Sequence, residues 1–126
     1  MFKLTALLLG FAIALSVGPA EADTSAKSFF AYKERAKYNV GAKKSLTIYL
    51  DGVAAGVNAA ETLYFQKFET ELLCPPKDQV IDDEEILAAL ELEYDSDQAD
   101  YDKRLTPAAM VAVKGLMKIY PCEDTN

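Results

Sequence analysis

The chain has 126 residues and a formal net charge of −7, from 20 acidic against 13 basic side chains. That balance argues against a nucleic-acid partner, because the phosphates would repel it. It contains no histidine and two cysteines, which removes Ser-His-Asp and Cys-His nucleophilic sites and the ordinary zinc ligand sets together.

Residues 1–22 read as a signal peptide. Lys3 supplies the charged start, residues 4–17 the apolar run, and Ala20-Glu21-Ala22 a small-x-small cleavage pattern. Cleavage after Ala20 competes with cleavage after Ala22. The apolar run is too short for a bilayer core, so a transmembrane anchor is the poorer reading, and no second run of spanning length follows. The expected product, residues 23–126, is exported, carries no membrane segment and has the length of one domain. In an oxidising compartment its two cysteines, Cys74 and Cys122, are expected to form a disulfide if the fold brings them within reach.

The first helix is expected over residues 25–39. Phe29, Phe30, the stem of Lys33, Ala36 and Val40 fall roughly on one side, and Asn39 to Gly41 supply the stop. This segment is basic, with Lys27, Lys33, Arg35, Lys37, Lys43 and Lys44 at its start and just beyond. The second helix has the strongest pattern: Leu46, Tyr49, Leu50, Val53, Val57, Ala60 and Tyr64 recur at helical spacing. Gly52 and Gly56 lie inside it, each costing about 1 kcal/mol relative to alanine. Four apart, they form a flat stripe that admits another backbone. Packing within the chain is the preferred reading, with a homodimer seam or a ligand contact as the alternative.

Residues 65–73 fit either a continuation of that helix or an extended lead to Cys74, and Pro75 and Pro76 end any helix there. Asp82 followed by Glu85 predicts a helix start, with the aspartate as N-cap and acids in the first turn. That third helix runs to about Tyr94 with Ile86, Leu87, Leu90 and Tyr94 inward, and residues 95–103 follow as a polar loop. Thr106-Pro107 reads as a capping hydroxyl followed by proline at the first helical position. The last helix then places Met110, Val113, Leu116, Met117 and Tyr120 inward, and Pro121 closes it. No segment alternates like a strand flanked by hairpin turns. The expected fold is all-α: a small single-domain helical bundle of four to five helices with one disulfide.

Between residues 78 and 102 the chain has no Lys or Arg. A solvated face or loop is the ordinary explanation; the sharper one is a surface for a basic partner. The candidates are Asp82, Asp83, Glu84 and Glu85 with the loop acids Asp95, Asp97, Asp100 and Asp102. A calcium loop counted from Asp95 fails, since Asp100 stands where glycine is needed and Thr106 where glutamate is needed. Glycosidase-like chemistry needs two carboxylates across a cleft, and these acids gather where a solvated loop is expected. Neither phosphate-cradling glycine loops nor a cofactor motif is present. The sequence therefore reads as a binding protein that is not an enzyme, with no metal and no cofactor.

Three segments resemble the Rap1a/Tai family of bacterial immunity proteins. Tyr49-Leu50-Asp51-Gly52-Val53-Ala54-Ala55-Gly56 is similar to the family's aromatic residue followed by a Gly-Val-x-x-Gly helix. Leu73-Cys74-Pro75-Pro76 resembles its hydrophobic-Cys-x-Pro segment, and residues 107–122 resemble its closing helix ending in Tyr/Phe-Pro-Cys. The resemblance covers residues 46–122. The acidic stretch over 82–103 is heavier than in many members, and the basic start has no counterpart. The resemblance implies a small helical periplasmic protein, often dimeric. Its partner would be a secreted toxin, a peptidoglycan-cleaving amidase or another effector delivered by a type VI secretion system. Protection in that family works by binding over the toxin's active-site cleft, and the resemblance implies the same here. Two other readings compete: a periplasmic stress or acid chaperone, and an orphan binding domain that kept the fold and changed partner.

Overall fold

The computed structural model describes residues 24–123. The expected signal peptide, residues 1–22, lies outside the described residues. Within them the chain forms five helices: α1 (Ala26–Ala36), α2 (Val40–Phe68), α3 (Asp83–Ser96), α4 (Gln98–Arg104) and α5 (Ala108–Ile119). The only extended pairing among the described residues is an isolated bridge between Ser25 and Pro107. The domain is all-α, as the periodicity predicts.

The first boundary differs from the sequence reading. The Ser25 hydroxyl accepts the Ser28 amide at 3.2 Å and starts α1, but the helix ends at Ala36. Lys37 is its C-cap, and Asn39, expected with Gly41 to be the stop, instead starts the next helix by accepting the Ala42 amide at 2.8 Å. Val40 is thereby the exposed first residue of α2 rather than part of the α1 core stripe. An N-capping asparagine takes extended backbone angles, which no continuing helix permits.

α2 has 29 residues, so it spans about 43 Å. Leu50 and Ala54 are buried, and Leu46, Tyr49, Val53 and Val57 pack against them. Ala60 is exposed and Tyr64 only half-buried, its ring tilted against Phe68 at 4.7 Å. The undecided segment 65–73 resolves into both alternatives in turn. The helix continues to Phe68, Glu69 turns left-handed (φ 55) with its amide on the Phe65 carbonyl, and a loop follows.

That loop is stitched back to α2 at two points. The Glu61 carboxylate accepts the Leu73 amide at 3.1 Å, and Leu73 is buried. The Asn58 side chain donates to the Ile81 carbonyl at 2.8 Å and accepts the Ile81 amide at 3.3 Å. A side-chain amide can pair with both polar groups of an extended residue, so Ile81 enters the core without orphaned backbone groups.

Asp82 caps α3 as expected, in a complete capping box with Glu85. The helix then runs two residues past the expected end, and the predicted polar loop over 95–103 is instead mostly α4. The reason is Tyr101, which is buried in the core and gives this acidic segment an apolar anchor. Asp100 near its start and Lys103 and Arg104 at its end suit the helix dipole, and Arg104 pairs with Asp100 at 2.9 Å.

Thr106 does not cap α5. Pro107 occupies the N-cap position and no side chain caps the helix. The N-terminal strap does the work: Ala108 donates to the Thr24 carbonyl and Ala26 to the Thr106 carbonyl, both at 2.8 Å. The inward face of α5 is also rotated from the one expected. Met110 and Met117 face outward, Val113 and Tyr120 are half-buried, and the buried set is Ala108, Val111, Ala112, Gly115 and Leu116. These small residues let α3 approach closely: a Cβ on Gly115 would lie 2.6 Å from the Ala89 carbonyl carbon. The single disulfide joins Cys74 to Cys122 with Cα atoms 4.9 Å apart, and the Cys74 amide donates to the Tyr120 carbonyl at 3.0 Å. It clamps the end of α5 to the loop ahead of α3.

Candidate binding surface

The acids nominated by the sequence do not form one patch. Asp82–Glu85 begin α3 and Asp95 and Asp97 end it, at opposite ends of a 14-residue helix that is about 20 Å long. Several also have structural duties. Asp82 and Glu85 cap each other's backbone amides. Glu85 further accepts hydrogen bonds from the Tyr120 hydroxyl and the Gln79 amide, which ties the start of α3 to the disulfide corner. That Glu85 bond, with burial second, raises the Tyr120 pKa. Asp100 holds Arg104, and Asp102 accepts the Tyr94 hydroxyl at 2.6 Å. Asp97 is at once the C-cap of α3 and the N-cap position of α4. Glu84 and Asp95 remain exposed, and Asp83 is half-buried in the first turn.

Gly52 and Gly56 are likewise not where the preferred reading put them. Both are exposed, and a Cβ on either would meet nothing within 4 Å. They lie on the outer face of α2 with Ile48 and Leu63, which are 63% and 65% exposed. Intramolecular packing is therefore not their role; the core face of α2 is the opposite one.

Sequence reasoning missed a buried charge cluster. Glu93 is 5% exposed, and its carboxylate pairs with Lys118 of α5 and accepts the Tyr101 hydroxyl of α4. Lys114 lies over the Tyr101 ring, 5.4 Å from its centroid. Burial alone would raise the Glu93 pKa, but the Lys118 and Tyr101 bonds and the nearby Lys114 charge together hold it below the usual carboxylate value. Tyr101 is pushed up to about 12 by burial and by that same carboxylate, and Tyr94 to about 12 by burial and Asp102. In sequence Glu93 is one more acid in an acidic run. Only the crossing of α3 with α5 brings it to lysines more than twenty positions away.

The cluster also answers an electrostatic problem. The last turn of α3 contains no basic residue, an unfavourable arrangement at the negative end of a helix dipole. Lys33 of α1, paired with Glu91, and Lys118 of α5 supply the missing cations from neighbouring helices. Among the described residues no group of three His, Cys, Asp or Glu is arranged to hold a metal ion. The two thiols are joined to each other. A second feature without a sequence signal is a cleft between α1 and α2, lined by Phe29, Tyr32, Arg35, Leu46 and Tyr49 among others.

These features define a small all-α domain stapled by one disulfide, with Glu85, Glu91, Glu93 and Asp102 engaged in holding helices together. No protein-family model, curated protein or solved structure matches the chain.

Proposed function

We propose that this protein is an exported immunity protein of the Rap1a/Tai kind. It binds and blocks a peptidoglycan-cleaving, amidase-like toxin delivered into the periplasm by a type VI secretion system. The observation that carries the reading is the joint occurrence of three segments in one order: the Tyr49–Gly56 helix, Leu73-Cys74-Pro75-Pro76, and a closing helix ending in Tyr120-Pro121-Cys122. The Cys74–Cys122 bridge that joins the second to the third supports it. A disulfide persists in an oxidising compartment, which agrees with export to where such a toxin acts. Inhibition by coverage needs no catalytic group from this chain. Glu84 and Asp95, exposed at the two ends of α3, are the acids offered to a basic toxin surface, where they would speed encounter.

The test is co-expression with secreted wall hydrolases encoded beside this gene. Growth rescue and a co-purifying complex are expected, with Glu84→Lys slowing association at low salt. If none of the neighbouring hydrolases binds, the immunity reading fails. A chaperone reading draws on one specific feature, the exposed Leu63, Phe65 and Phe68 near the end of α2. It requires suppression of client light scattering at about pH 3, where the carboxylates are protonated; unchanged scattering removes it.

A further inference from the structure

The cleft between α1 and α2 has a volume of about 450 Å³, inside the ~300–1,000 Å³ range of small-molecule sites. Its shape follows from side-chain size. Where the two helices face each other across it, the lining residues include Ser28 and Ala31 on α1 and Ser45 on α2, too small to fill the gap. The larger lining groups are aromatic. Phe29 is buried, with its ring 5.8 Å from that of Tyr49 at a 45° tilt, and Tyr32 and Leu46 complete an apolar enclosure.

The charge in this cleft is the reverse of the protein's own. In a chain of net charge −7, no Asp or Glu among the described residues lines it, and the one charged lining residue among them is Arg35. Arg104, the other arginine among the described residues, is paired with Asp100. Arg35 has no carboxylate or ring partner among the described residues. The Ser28 hydroxyl accepts from Ser25 at 3.0 Å, which leaves its own proton available to donate. Arg35 lies two turns along α1 from Ser28, about 10 Å, a span a long arginine side chain can cover. A guanidinium fork reaching back toward a hydroxyl donor matches a carboxylate, to which charge-assisted bonds are the strong ones. Tilted ring walls favour an aromatic group over an alkyl chain, since ring pairs gain beyond their buried area.

We propose that the α1–α2 cleft binds a small aromatic carboxylate, its ring against Phe29, Tyr32 and Tyr49 and its carboxylate on Arg35 and Ser28. This site is separate from the α3 acids offered to a toxin, so either proposal stands or falls without the other.

The experiment is an NMR titration of the oxidised protein with 3-phenylpropionate, alongside neutral 3-phenylpropanamide and aliphatic hexanoate. Saturable shifts are expected at Phe29, Tyr32 and Tyr49. The amide and hexanoate should each bind about tenfold more weakly or worse, and Arg35→Gln should weaken the acid by a similar factor while leaving the amide unchanged. Ala31→Trp should fill the cleft and abolish binding. Arg35 and Ala31 are both exposed, and an unshifted melting curve for Arg35→Gln separates lost binding from lost fold. An absence of saturable shifts overturns the proposal. So does an Arg35→Gln variant that binds the acid normally, or amide or hexanoate binding as tight as that of the acid.

Discussion

Gly115 in α5 and the Gly52–Gly56 pair in α2 are all helix-interior glycines, yet they sit in opposite environments. Around Gly115 the helices α3 and α5 touch backbone to backbone, and a methyl group there would collide with the Ala89 carbonyl. Around Gly52 and Gly56 there is open space. Sequence spacing points to the wrong pair, because the i, i+4 repeat is visible and the lone glycine is not. What distinguishes them is the company they keep. Gly115 belongs to a row of Ala108, Val111, Ala112 and Leu116 that is buried along its whole length. Gly52 and Gly56 lie opposite Leu50, Ala54 and Val57, which already provide the core stripe of α2.

The largest effect is expected where the close-packed side of this comparison is also cross-linked. The Cys74–Cys122 bridge closes 48 positions, worth roughly 4 kcal/mol on the chain-entropy model. Replacing both cysteines by serine should lower unfolding stability by that order in urea titrations, with near-native helical circular dichroism before the transition. A loss below about 1 kcal/mol would show that α3–α5 packing holds this corner without the staple.

Next comes Gly115→Ala. The added methyl meets backbone carbonyl atoms of Ala89 rather than a movable side-chain tip, so the helices must separate. A loss of about 3 kcal/mol is expected, at the upper end for overpacking, read as a fall in melting temperature at unchanged pH. Ala112→Gly, one turn earlier on the same face, would remove a methyl from a site already accommodating it. It should cost about 1 kcal/mol by propensity, plus a small cavity.

The same interface contains the charge cluster, so its third probe is pH. Glu93 has a lowered pKa in the folded state. Its stabilising contribution is therefore complete above the ordinary carboxylate range and is lost as pH falls through the folded value. Glu93→Gln should cost about 2 kcal/mol at neutral pH, as expected when a hydrogen bond to a charged group is lost from a buried site. The difference from the native protein should shrink as the medium becomes strongly acidic. Lys118 is 55% exposed on its side chain and can return to water, which keeps the loss below that of a fully buried pair. A difference that persists unchanged into strong acid would assign the effect to shape instead of charge.

Much of the architecture is legible in the sequence where local chemistry decides it. The capping box of Asp82 and Glu85 and the core stripe of α2 around Leu50 follow from residue type and spacing. The pairing of Cys74 with Cys122 follows from there being two cysteines in an exported chain, once the fold brings them together. The failures share a cause. Residues 95–103 read as a loop because their acids and the single Tyr101 carry no periodic stripe, and only the core that receives Tyr101 makes them helical. The inward face of α5 read as Met110, Val113, Leu116, Met117 and Tyr120. Leu116 is buried as expected, but close packing on α3 turns Met110 and Met117 outward and selects Ala108, Ala112 and Gly115 beside it. Thr106 fails as a cap because the segment at Ser25, more than eighty positions away, supplies the start of α5. The candidate acids suffered the same way: Glu85 and Asp102 hold tyrosines that the sequence does not place beside them. Nothing local marks the cleft at Arg35, since its walls come from two helices.

The smallest effect, and the one with the opposite sign, belongs to α2. With nothing within 4 Å of a Cβ at either position, Gly52→Ala and Gly56→Ala should each stabilise the protein by about 1 kcal/mol, the difference in helix propensity alone. The doubly substituted protein should gain close to the sum, because the two methyls touch no shared partner. Thermal melts at two protein concentrations make the measurement decisive. A gain that is independent of concentration means this outer face is open to water, and that the glycine spacing serves no contact in the isolated protein. A loss that is present at the higher concentration and shrinks with dilution would mean a second copy covers the face, and that the glycines keep its backbone within reach as Gly115 does for α3 and α5.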